Sequence, residues 1–485
     1  MTWTVDEQAE LTATQAVDAI RAGRLTASEY VATLLARAEA LSNLNALIAL
    51  DVESALAAAH RIDSLDAAGR AGLRLAGLPI VVKDNINTRG LSTSAGTPAL
   101  EGFAPARHAP SVERLVDAGA ILLGKANMHE LALGITSTNL SPHAGPVRNP
   151  YDPARIPGGS SGGTAAAIAA RIAPAGLGTD TCGSARIPAA LCGIAGLRPS
   201  VGDGDSGRRY RDPHSVVPIS RTRDTVGPMA RTVADLALLD SVIAGDGAPP
   251  HASVSTLRIG LPAPLWEGLE RAVEDIAHDA LAKLAAAGVT FVQVTMPDLL
   301  MLDHRVSGAL ALHEPLDDLL AWLVANQAPV QTIADVAARI ASPDVRGVYD
   351  AIVANAFGGG DYATALTVWR PRLQALYART FASDRLDALL FPTTRLVAVP
   401  IDDMNGSSYV SIDGGPPIDE LGAYVRNTSP AGNAGIPGLS LPAGLAAGGL
   451  PVGLELDGPV GCDRQLLAIG CAFERILGTL PAPTL

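Results

Sequence analysis

Positive charge is in short supply in this sequence. Its 36 Lys and Arg residues are outnumbered by 49 Asp and Glu residues, which gives a formal net charge of −13. Binding to a nucleic-acid backbone requires a basic face, so this balance argues against nucleic acid as a partner. Only three of the cations are lysines, Lys83, Lys125 and Lys283.

Cysteine and paired histidine motifs are scarce as well. The four cysteines are widely scattered, and no two of them form a Cys-x-x-Cys pair. The nine histidines include no His-Glu-x-x-His pattern. These absences exclude a disulfide framework and predict that the protein holds no metal ion.

Long apolar runs are missing too. No segment approaches the roughly 18 consecutive apolar residues that a membrane-spanning helix needs. The acidic first residues lack the charge and the apolar core of a signal peptide. We therefore expect a soluble cytoplasmic protein without a membrane partner.

What the sequence does contain is small residues and alternating short patterns. Aromatic residues make up only 4% of the chain, whereas glycine occurs 49 times, which favours close packing of helices on a sheet. Thr26 and Glu29 have capping-box spacing before an apolar periodic segment, which predicts a helix in residues 1–75. Beyond residue 76, short buried strands such as 80–82 and 120–123 alternate with helical segments. This mixture predicts an α/β protein with helices on both faces of a sheet.

One lysine and two serine motifs carry the chemistry. Lys83 ends the apolar run 78–82, where burial would allow it to lose its proton, as arginine cannot. The glycine-rich loop 158–163 contains Ser160 and Ser161, and Ser184 follows in the stretch 178–188. A nucleotide-binding loop would continue with Gly-Lys-Ser/Thr, but this loop continues with Thr164. The motifs therefore favour nucleophilic catalysis over phosphate binding.

These motifs, in this order, resemble the amidase signature family of serine hydrolases. The resemblance extends along the chain except for roughly residues 240–380. It is carried by residues 77–85, 124–130, 158–163, 177–199, 224–233, 433–442 and 450–454.

The resemblance implies one amidase domain over residues 1–485, built on a large mixed β-sheet sandwiched between helical layers. Residues 1–75 are expected to form an N-terminal helical segment, and 76–240 the catalytic core. Residues 240–380 are expected to form a variable, mostly helical region beside the substrate cleft. Residues 381–485 complete the core sheet.

The resemblance also implies roles for individual residues. Ser184 is the expected nucleophile, Lys83 the terminal base, and Ser160 the bridging serine, which the family holds in a cis peptide. The backbone N–H groups of residues 181–183 are the expected oxyanion hole, formed by Thr181, Cys182 and Gly183. Gly134 and Ile135 fall where family members line the substrate cleft. No cofactor is implied.

Two positions leave alternatives open. Ser161 is the rival of Ser160 for the bridging role, because the two are adjacent in the same loop. Cys182 stands where the commonest family pattern has glycine, so its side chain lies beside the scissile carbonyl. It is expected either to be a bystander or to shape the acyl pocket. Catalysis by Cys182 itself would lack a paired histidine.

The segment 144–161 most resembles family members that hydrolyse aryl and arylalkyl amides. The sequence therefore predicts an amidase for a small, largely uncharged amide that works through a serine acyl-enzyme. Three alternatives are a carbamate or anilide hydrolase with the same triad, an amidotransferase subunit, and a catalytically silent scaffold. The oligomeric state is left open, with a homodimer as one option.

Overall fold

The computed structural model describes residues 3–204 and 207–485. The described residues form thirteen strands: β1 (Leu47–Leu50), β2 (Pro79–Lys83), β3 (Ile121–Ala126), β4 (Ala175–Asp180), β5 (Ala195–Arg198), β6 (Thr225–Ala230), β7 (Arg258–Pro262), β8 (Thr290–Val294), β9 (Ala388–Pro392), β10 (Tyr409–Val410), β11 (Ile418–Asp419), β12 (Gly438–Leu445) and β13 (Pro451–Asp457).

The same residues form nineteen α-helices: α1 (Val5–Ala9), α2 (Ala13–Arg21), α3 (Ala27–Ala40), α4 (Val52–Asp63), α5 (Ala67–Gly72), α6 (Pro110–Asp117), α7 (Gly162–Ala169), α8 (Arg186–Leu191), α9 (Val233–Ala244), α10 (Arg271–Ala286), α11 (Leu299–His313), α12 (Pro315–Asn326), α13 (Ile333–Ala337), α14 (Pro343–Val353), α15 (Gly359–Thr364), α16 (Arg370–Asp384), α17 (Glu420–Val425), α18 (Ser429–Ala434) and α19 (Asp463–Leu477). Not one of these helices is long and apolar enough to cross a membrane.

Eleven strands make one mixed sheet in the order β1-β3-β2-β4-β6-β5-β12-β13-β9-β7-β8. Strand β2 pairs in parallel with both β3 and β4, whereas β4 pairs antiparallel with β6. Strands β10 and β11 form a separate pair. The predicted α/β class with a large mixed sheet is confirmed.

Helices cover both faces of the sheet, as two neighbouring residues of β12 show. Successive side chains of a strand point to opposite faces. Leu439 packs on Gly470 of α19, while the adjacent Ser440 points to the face covered by α8. The next strand confirms this, because a Cβ at Gly453 would lie 2.7 Å from Ala190 of α8 and 3.1 Å from the Ser440 hydroxyl.

Small residues allow α7 to approach the sheet closely. Every residue of α7 is buried, and its sequence is mostly glycine and alanine. A Cβ at Gly163 would lie only 2.2 Å from the Asn127 carbonyl oxygen, so no larger residue fits there. This packing fixes the start of α7, and with it the glycine-rich loop, against the end of β3, which pairs with the strand β2 that carries Lys83.

The structure differs from the sequence prediction in two segments. Strand β1 lies within residues 1–75, which were predicted to be helical, and pairs antiparallel with β3. Strand β7 lies in the region 240–380 and pairs with β8 and β9 at the far end of the main sheet. The predicted capping box is confirmed, since the Thr26 and Glu29 side chains bond reciprocally at the start of α3.

Candidate active site

Lys83 is the last residue of β2 and is completely buried. Its Nζ lies 2.8 Å from the Ser160 hydroxyl and 2.8 Å from the Thr179 hydroxyl. Among the described residues, no carboxylate lies within ion-pair distance of Nζ. Burial lowers the pKa of Lys83 from 10.5 to about 7, although the charges of Asp180 and Asp224 act in the opposite direction. A lysine in this setting can exist as the neutral amine near neutral pH.

Asp84 follows Lys83 directly but belongs to a different set of contacts. Its carboxylate lies 3.7 Å from the Nζ of Lys125 and accepts bonds from the Ser94 hydroxyl and the Gly96 N–H. This separation follows from the alternation of side chains at the end of β2. Asp84 therefore leaves Lys83 without a counter-ion.

The two serines of the glycine-rich loop point to different partners. The Gly159–Ser160 peptide bond is cis, and the Ser160 hydroxyl contacts Lys83. The Ser161 hydroxyl instead bonds both backbone groups of Thr179, donating to its carbonyl oxygen and accepting from its N–H, each at 3.2 Å. Ser161 is thereby occupied with the backbone of β4.

Ser184 lies in the turn between β4 and α8, with 8% of its surface exposed. The Ser161 N–H donates to the Ser184 carbonyl oxygen at 3.2 Å, which joins this turn to the glycine-rich loop. In residues 3–204 and 207–485, no hydrogen bond connects the Ser160 and Ser184 hydroxyls directly. Gly183 has φ 133°, and a Cβ there would lie 2.3 Å from the Thr428 hydroxyl, so the position before Ser184 requires glycine.

A buried ion cluster holds this turn. The Asp180 carboxylate accepts the N–H groups of Gly183 at 2.9 Å and Ala185 at 3.1 Å. Arg186 and Arg198 each form an ion pair with the same carboxylate. Burial alone would raise the pKa of Asp180, but the two guanidinium groups hold it well below its ordinary value. Asp180 and Arg186 therefore hold the loop through hydrogen bonds and an ion pair.

The predicted oxyanion donors differ in their availability. The Gly183 N–H donates to Asp180, as described above, so it is already occupied. Within the described part of the chain, the N–H groups of Cys182 and Ser184 have no hydrogen-bond acceptor. Thr181 is fixed through its side chain, because its hydroxyl donates to Asp224 at 2.7 Å.

The Cys182 side chain is half-buried beside Ser184. Its Sγ lies 3.4 Å from Nη1 of Arg223, and the Thr428 hydroxyl donates to its carbonyl oxygen at 2.5 Å. Burial raises the pKa of the Cys182 thiol, which keeps it protonated. Its hydrogen-bond partners among the described residues include no histidine, so a base that could activate the thiol is missing from these contacts.

Gly134 and Ile135 lie beside the glycine-rich loop. Ile135 is buried, and a Cβ at Gly159 would lie 2.9 Å from its carbonyl carbon. Gly134 packs on the ring of His129, where a Cβ would overlap with Nε2. The structure thus brings both residues near Ser160.

His129 and Glu130 connect the loop to the region 240–380. The His129 N–H donates to the Ser160 carbonyl oxygen at 3.2 Å, and its ring lies 3.0 Å from the carboxylate of Asp344. The Glu130 carboxylate accepts the N–H of Ser342 at 2.8 Å, just before α14. Both residues therefore hold the loop in place through their contacts with neighbouring segments.

Sequence reasoning missed two residues that contact the site. Thr179 supplies the second hydroxyl beside Lys83 and also accepts a bond from the Asn85 side chain at 3.1 Å. Arg223 is completely buried beside Cys182. For Thr179, the signal was a polar side chain in the otherwise apolar and glycine-rich run 175–179.

The chain is similar to known proteins along most of its length. A family model described as Amidase matches residues 29–467. Mandelamide hydrolase of Pseudomonas putida is 41% identical over 489 residues, covering 98% of this chain and 93% of that protein. Indoleacetamide hydrolase of Rhizobium radiobacter is 43% identical over 454 residues, covering 93% of each. Native peptide amidase from Stenotrophomonas maltophilia has a TM-score of 0.82 at 32% identity, covering 98% of this chain and 99% of that one.

The chain belongs to the amidase signature family and is a hydrolase of amide C–N bonds.

Proposed function

We propose that this enzyme hydrolyses a small, largely uncharged aryl or arylalkyl amide through an acyl-enzyme on Ser184. The observation that carries the proposal is the 2.8 Å contact between the Lys83 amine and the Ser160 hydroxyl in a fully buried position. A neutral lysine there is a base, and Ser160 lies in the loop that is bonded to the Ser184 turn. The three residues together provide a nucleophile, a proton relay and a base.

In the first step the Ser184 oxygen attacks the amide carbonyl carbon. Its proton passes to the Ser160 oxygen while the Ser160 proton passes to the Lys83 amine, so the charge appears on lysine. The same path then returns a proton to the leaving nitrogen, the C–N bond breaks, and the acyl group remains on Ser184. A water molecule repeats the sequence in place of the serine and releases the carboxylic acid.

The bridging role falls to Ser160 rather than Ser161. Ser160 contacts Lys83, whereas the Ser161 hydroxyl is engaged with both backbone groups of Thr179. We therefore assign Ser161 to holding the loop on β4.

The oxyanion that forms during attack needs N–H donors without other partners. The Cys182 and Ser184 N–H groups meet this condition, while the Gly183 N–H is held by Asp180. We accordingly assign the oxyanion hole to the backbone of residues 181–184, with Cys182 as a principal donor. Gly183 gives the turn its shape.

The proposed substrate class is supported by the two hydrolases that resemble the chain over nearly its full length, whose names specify mandelamide and indoleacetamide. Both are amides of arylalkyl acids with ammonia as the leaving group. Carbamates and anilides would be cleaved by the same steps.

A panel of substrates tests the proposal on the purified chain. Initial rates are measured for a primary arylalkyl amide, the matching anilide, a carbamate and an ester, each with wild type and with Ser184→Ala. We expect the primary amide to have the highest kcat/KM of the amide-type substrates, and all turnover to depend on Ser184. Amide turnover that persists in Ser184→Ala would refute the assignment of Ser184 as the nucleophile. A higher kcat/KM for the carbamate than for every amide would mean that carbamates are the substrate class.

A further inference from the structure

Asp303 approaches the nucleophile turn from the region 240–380. It lies on α11, which packs against α18. Helix α18 in turn sits directly on the turn, because a Cβ at Gly432 would lie 2.5 Å from the Thr181 carbonyl oxygen and 3.3 Å from Cα of Cys182. Two layers of contact therefore place a carboxylate from a distant segment close to the reacting serine.

One oxygen of Asp303 is fully engaged. Oδ1 accepts bonds from the Ser429 hydroxyl at 2.9 Å, the Asn433 amide at 2.6 Å and the Ser307 hydroxyl at 3.4 Å. These bonds fix the orientation of the side chain. Because three donors hold Oδ1, the position of the second carboxylate oxygen is fixed as well.

The second oxygen, Oδ2, is free and accessible. Within the described ranges, no donor bonds to Oδ2. Asp303 as a whole is half-buried, and Oδ2 is not one of the unpaired atoms that are fully buried in those ranges. Oδ2 therefore borders open space. It offers an acceptor at a fixed position.

This acceptor is connected to the wall of the active site. The Asn433 side chain that binds Asp303 also accepts a bond at 3.0 Å from Nη1 of Arg223, the same atom that contacts the Cys182 sulfur. Cys182 precedes Ser184 by two residues and is itself only half-buried. A continuous chain of contacts therefore links Asp303 through Asn433 and Arg223 to Cys182.

The charges select a neutral ligand group. Burial raises the pKa of Asp303 to about 6, so the side chain is a carboxylate at the pH at which Lys83 loses its proton. The Arg223 guanidinium, bonded through Asn433, balances this charge. Because this charge is already balanced, the acceptor favours a neutral hydroxyl or N–H over an ammonium group.

We propose that Asp303 is a specificity-determining residue whose free oxygen accepts a hydrogen bond from a neutral hydroxyl or N–H on the acyl part of the substrate. The inference rests on the proposed function of Ser184. We place this hydrogen bond on the acyl part because Ser160 and Lys83 serve the leaving nitrogen. Asp303 is connected to the site through different contacts, which end at Cys182.

Substrate pairs that differ by one donor test the proposal. One pair is mandelamide and phenylacetamide, and the other is indole-3-acetamide and its 1-methyl derivative. For at least one pair, wild type should show about tenfold higher kcat/KM for the donor-bearing member, the size expected for a bond to a charged group. Asp303→Asn keeps an acceptor for Ser429 and Asn433 but presents an N–H₂ group to the substrate. It should reduce the ratio to about one and change the donor-free substrate by less than about threefold.

Asp279→Asn, an exposed carboxylate-to-amide change on α10, is the matched control and should keep the wild-type ratio. Ratios near one for wild type with both pairs would overturn the proposal, as would equal losses for both members of a pair in Asp303→Asn. Asp303→Ser replaces the amide variant if the latter does not fold. A wild type that hydrolyses none of the four amides would refute the proposed function instead. A preference for phenylglycinamide, which carries an ammonium group, over mandelamide would overturn the neutral-donor assignment.

Discussion

The lowered pKa of Lys83 leads to a quantitative prediction about the pH dependence of catalysis. An amine with the ordinary pKa of 10.5 would be neutral in only about one molecule in 3,000 at pH 7. With its pKa lowered to about 7, half of the molecules carry the neutral base at that pH. Because burial lowers the pKa and only the neutral form accepts a proton, activity must rise with pH. We expect kcat/KM to rise about tenfold per pH unit below pH 7 and to level off near pH 8.

Replacing Lys83 separates its basicity from its charge. Lys83→Ala removes the base, and we expect kcat to fall by several orders of magnitude. Lys83→Arg keeps a cation but should not restore the rate, because a guanidinium group stays protonated at every pH of the assay. The measurement is the initial rate of ammonia release from an uncharged amide between pH 5.5 and 9.5 at constant ionic strength.

Lys125 provides a matched control for that experiment. Lys125 is also completely buried, and burial lowers its pKa to about 8. Its amine lies near Asp84 and contacts neither Ser160 nor Ser184. Lys125→Arg, checked for folding by thermal unfolding, should keep the shape of the wild-type profile. An Lys83→Arg variant with near-normal activity, or a wild-type profile that is flat between pH 5.5 and 7.5, would refute the role of Lys83.

Three further variants test the other assignments. Ser184→Ala should abolish turnover without loss of folding, and a sulfonyl fluoride should add once to wild type and not to the variant by intact mass; an adduct on the variant would contradict the assignment. Ser160→Ala should lower kcat/KM far more than Ser161→Ala, since only Ser160 contacts Lys83, and the opposite order would exchange their roles. Cys182→Ala should keep activity within about tenfold, because the backbone N–H remains, but should alter the preference among acyl groups of different size. Loss of activity with every substrate would show that the thiol takes part in the reaction.

Local sequence patterns predicted much of the sheet. The segments 80–82 and 120–123 were predicted to be buried strands, and the structure places β2 and β3 there. The separation of Lys83 from Asp84 agrees with the two-residue period of a strand. These features depend on residues that are neighbours in the sequence, so they can be predicted from it.

Strands β1 and β7 were missed because their stability comes from distant partners. Residues 47–50 are only partly buried and lie between two helices, so the local pattern offers no alternation to distinguish a strand. What makes them a strand is the pairing of Leu50 with Gly124, where a Cβ would lie 2.1 Å from the Ala49 carbonyl oxygen. Strand β7 likewise depends on β8 and β9 on either side.

The proposed catalytic residues and the proposed specificity residue also differ in whether they depend on sequence motifs or on distant partners. Lys83, Ser160 and Ser184 lie in motifs that resemble the amidase signature family, and this resemblance is what allows the triad to be proposed from the sequence. Asp303 has no such motif, because its position depends on Asn433, 130 residues away, and Asn433 depends on Arg223, 210 residues away. An acid on an otherwise ordinary helix acquires a role only when folding brings these partners together. We therefore expect single replacements on α11 to change substrate preference while the catalytic motifs stay the same, so that these motifs indicate the reaction but not the acyl group.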